Sequence, residues 1–415
     1  MQKLPFAGAG LNWQDRINFS RMRQERLAKA QAAMKKHGIA ACLLCRPDNV
    51  VYVTGVRGPG FVPQLRYALA FAEDAPILYE EGPTLEHNRL NCSWIKPENW
   101  RFSYTWLGGA IGPGATRYES KKWAEGIKND LKEKGLDKEK LGVDMLDEAG
   151  RFALQEAGIE IAPAMPALTE ARRIKTEDEI NCVKIACAIC DVGWQALYEV
   201  LKPGVRESEV IAAGMQALYR AGAEMVMAVA VRSGPNCFPV FHQIGTDRII
   251  QVGDTVIIDL PGITFMGYNT CYYRTFIVGR KPTDKEKDWH KRCHEQLYAV
   301  INAIKPGATT ADVARKFPSA KEWGYEAEEQ VMLDHVSHGL GLSLYEEPIA
   351  HRAFSMEHPQ TYEKGMVMAV ETAFGEPFVG GSRLEEDLVV TDTGTEVITR
   401  MPVEEMIVAG AMTLG

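Results

Sequence analysis

Two acidic residues, Glu371 and Glu385, each sit inside a short apolar run, and His338 stands upstream in Ser337-His338-Gly339-Leu340-Gly341. Glycine beside an imidazole lets main chain approach closely. One histidine and two strand-borne carboxylates can converge on a metal ion or a polar small molecule. A third carboxylate, Asp259, ends the β-branched run Thr255-Val256-Ile257-Ile258. At the end of a buried strand it needs a cation, a metal or several donors. Cys271 and Arg274-Thr275-Phe276 follow, and Ser233-Gly234-Pro235-Asn236 precedes a further histidine, His242. An imidazole whose pKa lies near working pH can act as general base and acid.

The elements that position these groups belong to a long soluble chain. Its 415 residues suggest two to three domains, and 46% hydrophobic with 25% charged residues gives ample core. The net charge of −8 argues against nucleic acid and anionic membrane as partners. No apolar run approaches the roughly 18 residues of a membrane span, and the N-terminus lacks the apolar core of a secretory signal. Nine scattered cysteines do not read as a disulfide framework. Cys42 with Cys45, and Cys187 with Cys190, read as buried thiols, and a cytoplasmic location is expected.

Phe19 to Lys36 reads as a basic amphipathic helix ended by Gly38, and Ile39 to Leu44 as an apolar strand. Asn49 to Gly55 is expected as a second strand and turn. Tyr67 to Ala72 and Ala75 to Tyr79 alternate as a hairpin. Trp106 to Thr116 is Gly-rich loop, Glu119 to Lys134 a charged helix and Leu141 to Met145 a strand. Strands alternating with helices fit an α/β domain over 1–165. Pro163 to Leu168 breaks both patterns and marks the start of a second domain, 166–415. There Thr176 with Glu179 forms a capping box, opening a helix stopped by Lys202-Pro203-Gly204. About a hundred residues on, Leu297-Tyr298 leads to Lys305-Pro306-Gly307, with Thr309 and Asp312 capping the next helix. The shared context reads as an internal duplication, which places a site at a pseudo-twofold interface.

In this order and spacing the chain resembles the pita-bread family of metal-dependent aminopeptidases, prolidases and creatinases. The residues that carry the likeness are Arg173-Ile174-Lys175, Ser233-Gly234-Pro235-Asn236, Ile258-Asp259-Leu260, Arg274-Thr275-Phe276, His338-Gly339-Leu340-Gly341, Gly365-Met366 to Glu371, and Arg383-Leu384-Glu385. Residues 20–165 resemble the N-terminal domain of the creatinase and prolidase branch. The family's dinuclear site uses two Asp, one His and two Glu. Asp259, His338, Glu371 and Glu385 match four of these positions, and Cys271 stands where the second Asp belongs. Tyr345, before Glu346-Glu347-Pro348, replaces a His that in the peptidases contacts substrate.

The resemblance implies one divalent metal (zinc, iron or manganese) or none, held by Asp259, Cys271, His338, Glu371 and Glu385. Loss of an acidic ligand weighs against a dinuclear site. It further implies His242 as catalytic base and acid, with Glu371 and Glu385 beside it. Arg66 would hold a substrate carboxylate across a homodimer, and Tyr345 and His335 would line the substrate. The leading expectation is a creatinase-like hydrolase of a C–N bond in a small, carboxylate-bearing nitrogenous substrate, bound where paired Glu371 and Glu385 suit a cationic nitrogen. An Xaa-Pro aminopeptidase or dipeptidase with an altered metal site, a dimethylsulfoniopropionate-type lyase and a non-catalytic binding module are the alternatives.

Overall fold

The structure, a computed structural model, describes residues 16–58, 65–239, 244–331 and 335–411. Two compact units divide at Arg172 and Arg173, with the segment up to Asn18 belonging to the second. The division lies beyond the Pro163–Leu168 break because Pro166 falls in the first turn of a helix, α6 below, where a missing N–H is harmless.

The first unit contains α1 (Phe19–Lys36), β1 (Ala41–Leu44), α2 (Pro47–Thr54), β2 (Tyr67–Phe71), β3 (Ile77–Glu80), α3 (Gly82–Asn91), β4 (Trp100–Phe102), α4 (Pro113–Glu133), β5 (Leu141–Val143), α5 (Glu148–Glu156), β6 (Ile161–Pro163) and α6 (Met165–Arg173). The strands form one mixed sheet in the order β4-β3-β2-β1-β5-β6. The expected hairpin is β2 and β3, with Tyr67 facing Tyr79 across the ladder. The strand expected over Asn49 to Gly55 is instead α2. Its apolar run Val50-Val51-Tyr52-Val53 is compatible with either state. Pro47 at the first helical turn and Gly55 in the left-handed region at the far end decide for helix. The charged helix begins at Pro113, inside the stretch expected as loop. Arg66 lies just before β2, where its Nε donates to the buried carboxylate of Glu80 at 2.5 Å.

The second unit begins with α7 (Glu177–Val200), α8 (Glu207–Arg220), β7 (Met225–Val226), β8 (Ala230–Ser233), β9 (Thr255–Asp259), β10 (Ile263–Phe265), β11 (Tyr268–Thr270) and β12 (Tyr273–Val278). It continues with α9 (Asp284–Ile301), α10 (Thr310–Ala314), β13 (Val336–Gly339), β14 (Glu346–Ala350), β15 (Val367–Glu376), β16 (Gly380–Val390), β17 (Thr395–Val397) and β18 (Ile407–Ala409). Thr176 caps α7 and Thr309 caps α10, each in a reciprocal box with the acidic residue three positions on. Among the described residues α7 alone is long and apolar enough to cross a membrane, but Cys182, Ala186, Cys190 and Trp194 are buried within the unit.

The sequence repeat is a structural one. A long helix, a Lys-Pro-Gly stop and a shorter helix precede a sheet twice. The first sheet runs β18-β12-β9-β8 and the second β14-β13-β15-β16-β17. They meet along β12 and β16, where the Thr275 hydroxyl donates to the Arg383 carbonyl and accepts from the Arg383 N–H, at 2.8 and 2.9 Å. Arg274, fully buried, crosses the same seam to the Glu386 carboxylate at 2.7 Å and the Met401 carbonyl at 2.6 Å.

Candidate active site

Strand registers deliver the acidic groups to this seam. Glu371 on β15 faces Glu385 on β16, and His338 on β13 faces Ala369, two residues before Glu371. Side chains two apart share a face, so His338, Glu371 and Glu385 project from one side of the second sheet. Asp259, at the end of β9, faces Tyr273 on β12. Cys271 lies two residues before β12.

Three of the five expected ligands converge. Ligand atoms of Cys271, His338 and Glu385 all lie within 4.8 Å of one another, and all three residues are buried. Cys271 Sγ is 3.6 Å from Glu385 Oε2, and His338 Nε2 is 3.8 Å from Glu385 Oε1. His338 Nδ1 sits 3.1 Å from the Gly339 carbonyl. A proton held there leaves the Nε2 lone pair facing the cluster. Burial first, then Glu371 and Asp259, pushes the Glu385 carboxyl well above the usual carboxylate range. Burial, then Glu385, Asp259 and Glu371, raises the Cys271 thiol, and burial lowers His338.

The other two expected ligands lie in a different setting. Glu371 is ion-paired with Arg383 Nη2, whose guanidinium covers the Tyr273 ring at 4.1 Å. Asp259 feels Arg383 and Arg232 together and hydrogen-bonds Tyr273; burial still raises it to about 7. Glu371, expected to share a cationic substrate with Glu385, is met here by a guanidinium of the chain itself.

The remaining expected site residues fall as follows. Tyr345 lies against His338, ring centroids 4.3 Å apart, and is 46% exposed, so its ring spans from the imidazole to solvent. His335 packs among Phe317, Trp323 and Phe374 rather than with the ligand cluster, and neither of its ring nitrogens has a hydrogen-bond partner. Arg66 belongs to the first unit, on Glu80. His242 lies outside the described residues.

Residues 181–392 match metallopeptidase family M24, and residues 26–174 match the creatinase/prolidase N-terminal domain. The chain belongs to metallopeptidase family M24. It is 30% identical over 236 residues to the Xaa-Pro dipeptidase of Pyrococcus furiosus, a match spanning 56% of this chain and 65% of that one. With the Xaa-Pro dipeptidase of Pyrococcus horikoshii it shares 25% identity over 392 residues, 91% and 97% of the two chains. A solved Xaa-Pro dipeptidase from Bacillus anthracis superposes with a TM-score of 0.73 at 25% identity, covering 93% of this chain and 99% of that one. The prolidase of Pyrococcus horikoshii shows the same fold, with a TM-score of 0.73 at 23% identity over 92% and 100%. The creatinase-type first domain and the pita-bread second domain are thus those of the family.

M24 membership implies a divalent metal, and the Cys271 cluster fits one. His338 Nε2 and Glu385 Oε1 are buried with no hydrogen-bond partner. An orphaned buried acceptor is costly unless a cation or donor meets it. A thiolate, an imidazole and a carboxylate together suit zinc or iron. Three protein ligands also leave the open position that distinguishes catalytic from structural zinc sites.

Three site residues escaped the sequence reading. Arg383 stood in view beside Glu385, but only the strand register shows it crossing to Glu371. Arg232 precedes the Ser233-Gly234-Pro235-Asn236 marker and carried no signal of its own. Asp387 lies two residues beyond Glu385, which by strand alternation puts it on the same face. Its Oδ2 accepts from the Cys271 N–H at 3.1 Å, the Thr270 hydroxyl at 2.5 Å and the Cys187 thiol at 3.6 Å. It holds the main chain that presents Cys271.

Proposed function

We propose that this M24 enzyme hydrolyses the C–N bond of small Xaa-Pro-type dipeptides, using one divalent metal held by Cys271, His338 and Glu385. The convergence of those three buried groups within 4.8 Å carries the reading, and curated relatives named Xaa-Pro dipeptidase support the substrate class. A bound divalent ion polarises a carbonyl and acidifies a water. The chain's own groups do the rest. The Gly339 carbonyl fixes the His338 tautomer, and Asp387 fixes the Cys271 main chain. Burial and the neighbouring carboxylates keep the Tyr345 phenol protonated, so beside the open face it is a hydrogen-bond donor for substrate. In the same reading His242 handles the proton, Arg66 meets the substrate carboxylate across a homodimer, and the enzyme works in the cytoplasm, where buried thiols such as Cys187 and Cys293 stay reduced.

Proline release from Xaa-Pro dipeptides by the purified protein tests this. Chelation should abolish release, and zinc, iron or manganese should restore it. Turnover of a guanidino or amidino acid by metal-free protein, with no dipeptide hydrolysis, would overturn the reading in favour of the creatinase-like scheme.

A further inference from the structure

We propose that the Asp259 side of the site binds no metal ion because the guanidinium groups of Arg232 and Arg383 supply its positive charge. Strand geometry brings the two arginines there from different sheets. On β8, Ala230 faces Asp259 and Arg232 faces Ile257. Two residues apart on their strands, Asp259 and Arg232 project from the same face. Arg232 is 8% exposed, and its charge acts on Glu207 and Asp259. Arg383 comes from β16, 1% exposed, to pair with Glu371 and cover Tyr273, the residue opposite Asp259 in the ladder.

A charge count separates the two sides. Asp259 and Glu371 lie against Arg383, paired with Glu371, and Arg232, whose charge is shared between Glu207 and Asp259. Like charges in low dielectric repel strongly, so a divalent ion beside Asp259 would meet both arginines at close range. On the other side, Glu385 has no ion pair with a Lys or Arg among the described residues; its ion-pair partner is His338 Nε2, 3.8 Å away, and Arg383 only offsets part of the repulsion from Glu371, Asp259 and Asp387. Cys271, which replaces the acidic residue that would join both ions, completes the asymmetry. Arginine cannot shed its proton at working pH, so the countercharge is permanent. Asp259 Oδ1 is buried and makes no hydrogen bond, so it is where a second ion would bind once the arginine charge is removed.

This inference rests on the reading of Cys271, His338 and Glu385 as the ion site, and the experiment separates the two. Full-length protein stripped of metal is titrated with cobalt(II), the stoichiometry is taken by calorimetry and elemental analysis, and the thiolate-to-cobalt absorption is followed. Wild type should take one equivalent per chain with that absorption present. Arg232→Gln, with fold checked by circular dichroism, should gain a second equivalent at least about tenfold tighter than any second binding in wild type. Arg232→Lys, which keeps the charge, should stay at one. Two equivalents in wild type, or no gain in Arg232→Gln, would overturn the inference. No equivalent in wild type would overturn the proposed metal site, while a single ion gained by Arg232→Gln would still uphold the arginine countercharge.

Discussion

The two sides of this active site are built from the same strands and differ in what balances their acidic groups. On the Asp259 side the chain brings its own cations, Arg383 onto Glu371 and Arg232 beside Asp259. On the Cys271 side, His338 Nε2 and Glu385 Oε1 are buried with no partner. The first side has an internal cation on Glu371 and one buried oxygen, Asp259 Oδ1, without a hydrogen bond; the second has no Lys or Arg ion pair among the described residues. In the reading proposed above, this difference lets an M24 scaffold keep four of its five usual ligand types with a single ion.

The sharpest way to break the comparison is to remove a group from each side and ask what is lost. Cys271→Ser and His338→Ala should abolish metal binding and reduce dipeptide turnover on the order of 10³-fold, since a Lewis acid supplies several kcal/mol of transition-state stabilisation. Both should leave the unfolding midpoint in chelator unchanged. Arg383→Met should do the reverse. It strands a buried carboxylate, which costs roughly 3–5 kcal/mol of stability, read by denaturant unfolding. Glu371→Gln in that background should return much of it.

Smaller effects sharpen the boundary between site and scaffold. Asp387→Asn keeps the volume but weakens the hold on the Cys271 N–H, and should lower metal affinity about 10–100-fold, as loss of an outer-shell partner does. His290 tests the scaffold behind β16. Its Nδ1 meets Ser382 and its Nε2 the Val403 carbonyl, with His294, Arg274 and Glu404 as the charged groups around it, and burial lowers it to about 4. A depressed folded-state pKa gives stability that is present above the unfolded pKa of about 6.5 and lost as pH falls toward 4. Unfolding free energy should therefore drop by about 2 kcal/mol from pH 7 to pH 5 through this residue, and the drop should be absent in His290→Gln. Tyr345→Phe, which removes only a hydroxyl at the open face, should raise KM by a few-fold at unchanged metal content.

Much of this was legible in the sequence because the signals are local. The capping boxes at Thr176 and Thr309, the two Lys-Pro-Gly stops and the apolar strands around Asp259, Glu371 and Glu385 each depend on neighbours within a few residues. Cys271 in place of an acidic ligand was equally visible. What stayed hidden depends on pairing between distant strands. Nothing local indicates that Arg383 crosses to Glu371 twelve residues away by the register of one hairpin, or that Arg232 shares a face with Asp259. The α2 segment misled because four consecutive apolar residues have no period, so only Pro47 and Gly55 distinguish its state. His335, expected along the substrate, packs against Trp323 and Phe374, contacts that its neighbours in sequence do not announce.

The most direct test of the one-ion site is anomalous diffraction from crystals grown with zinc, with data on both sides of the zinc edge. A single peak per chain is expected within bonding distance of Cys271 Sγ, His338 Nε2 and Glu385, at about 2.0–2.3 Å from each. A peak beside Asp259, or no peak at the Cys271 cluster, would contradict the account.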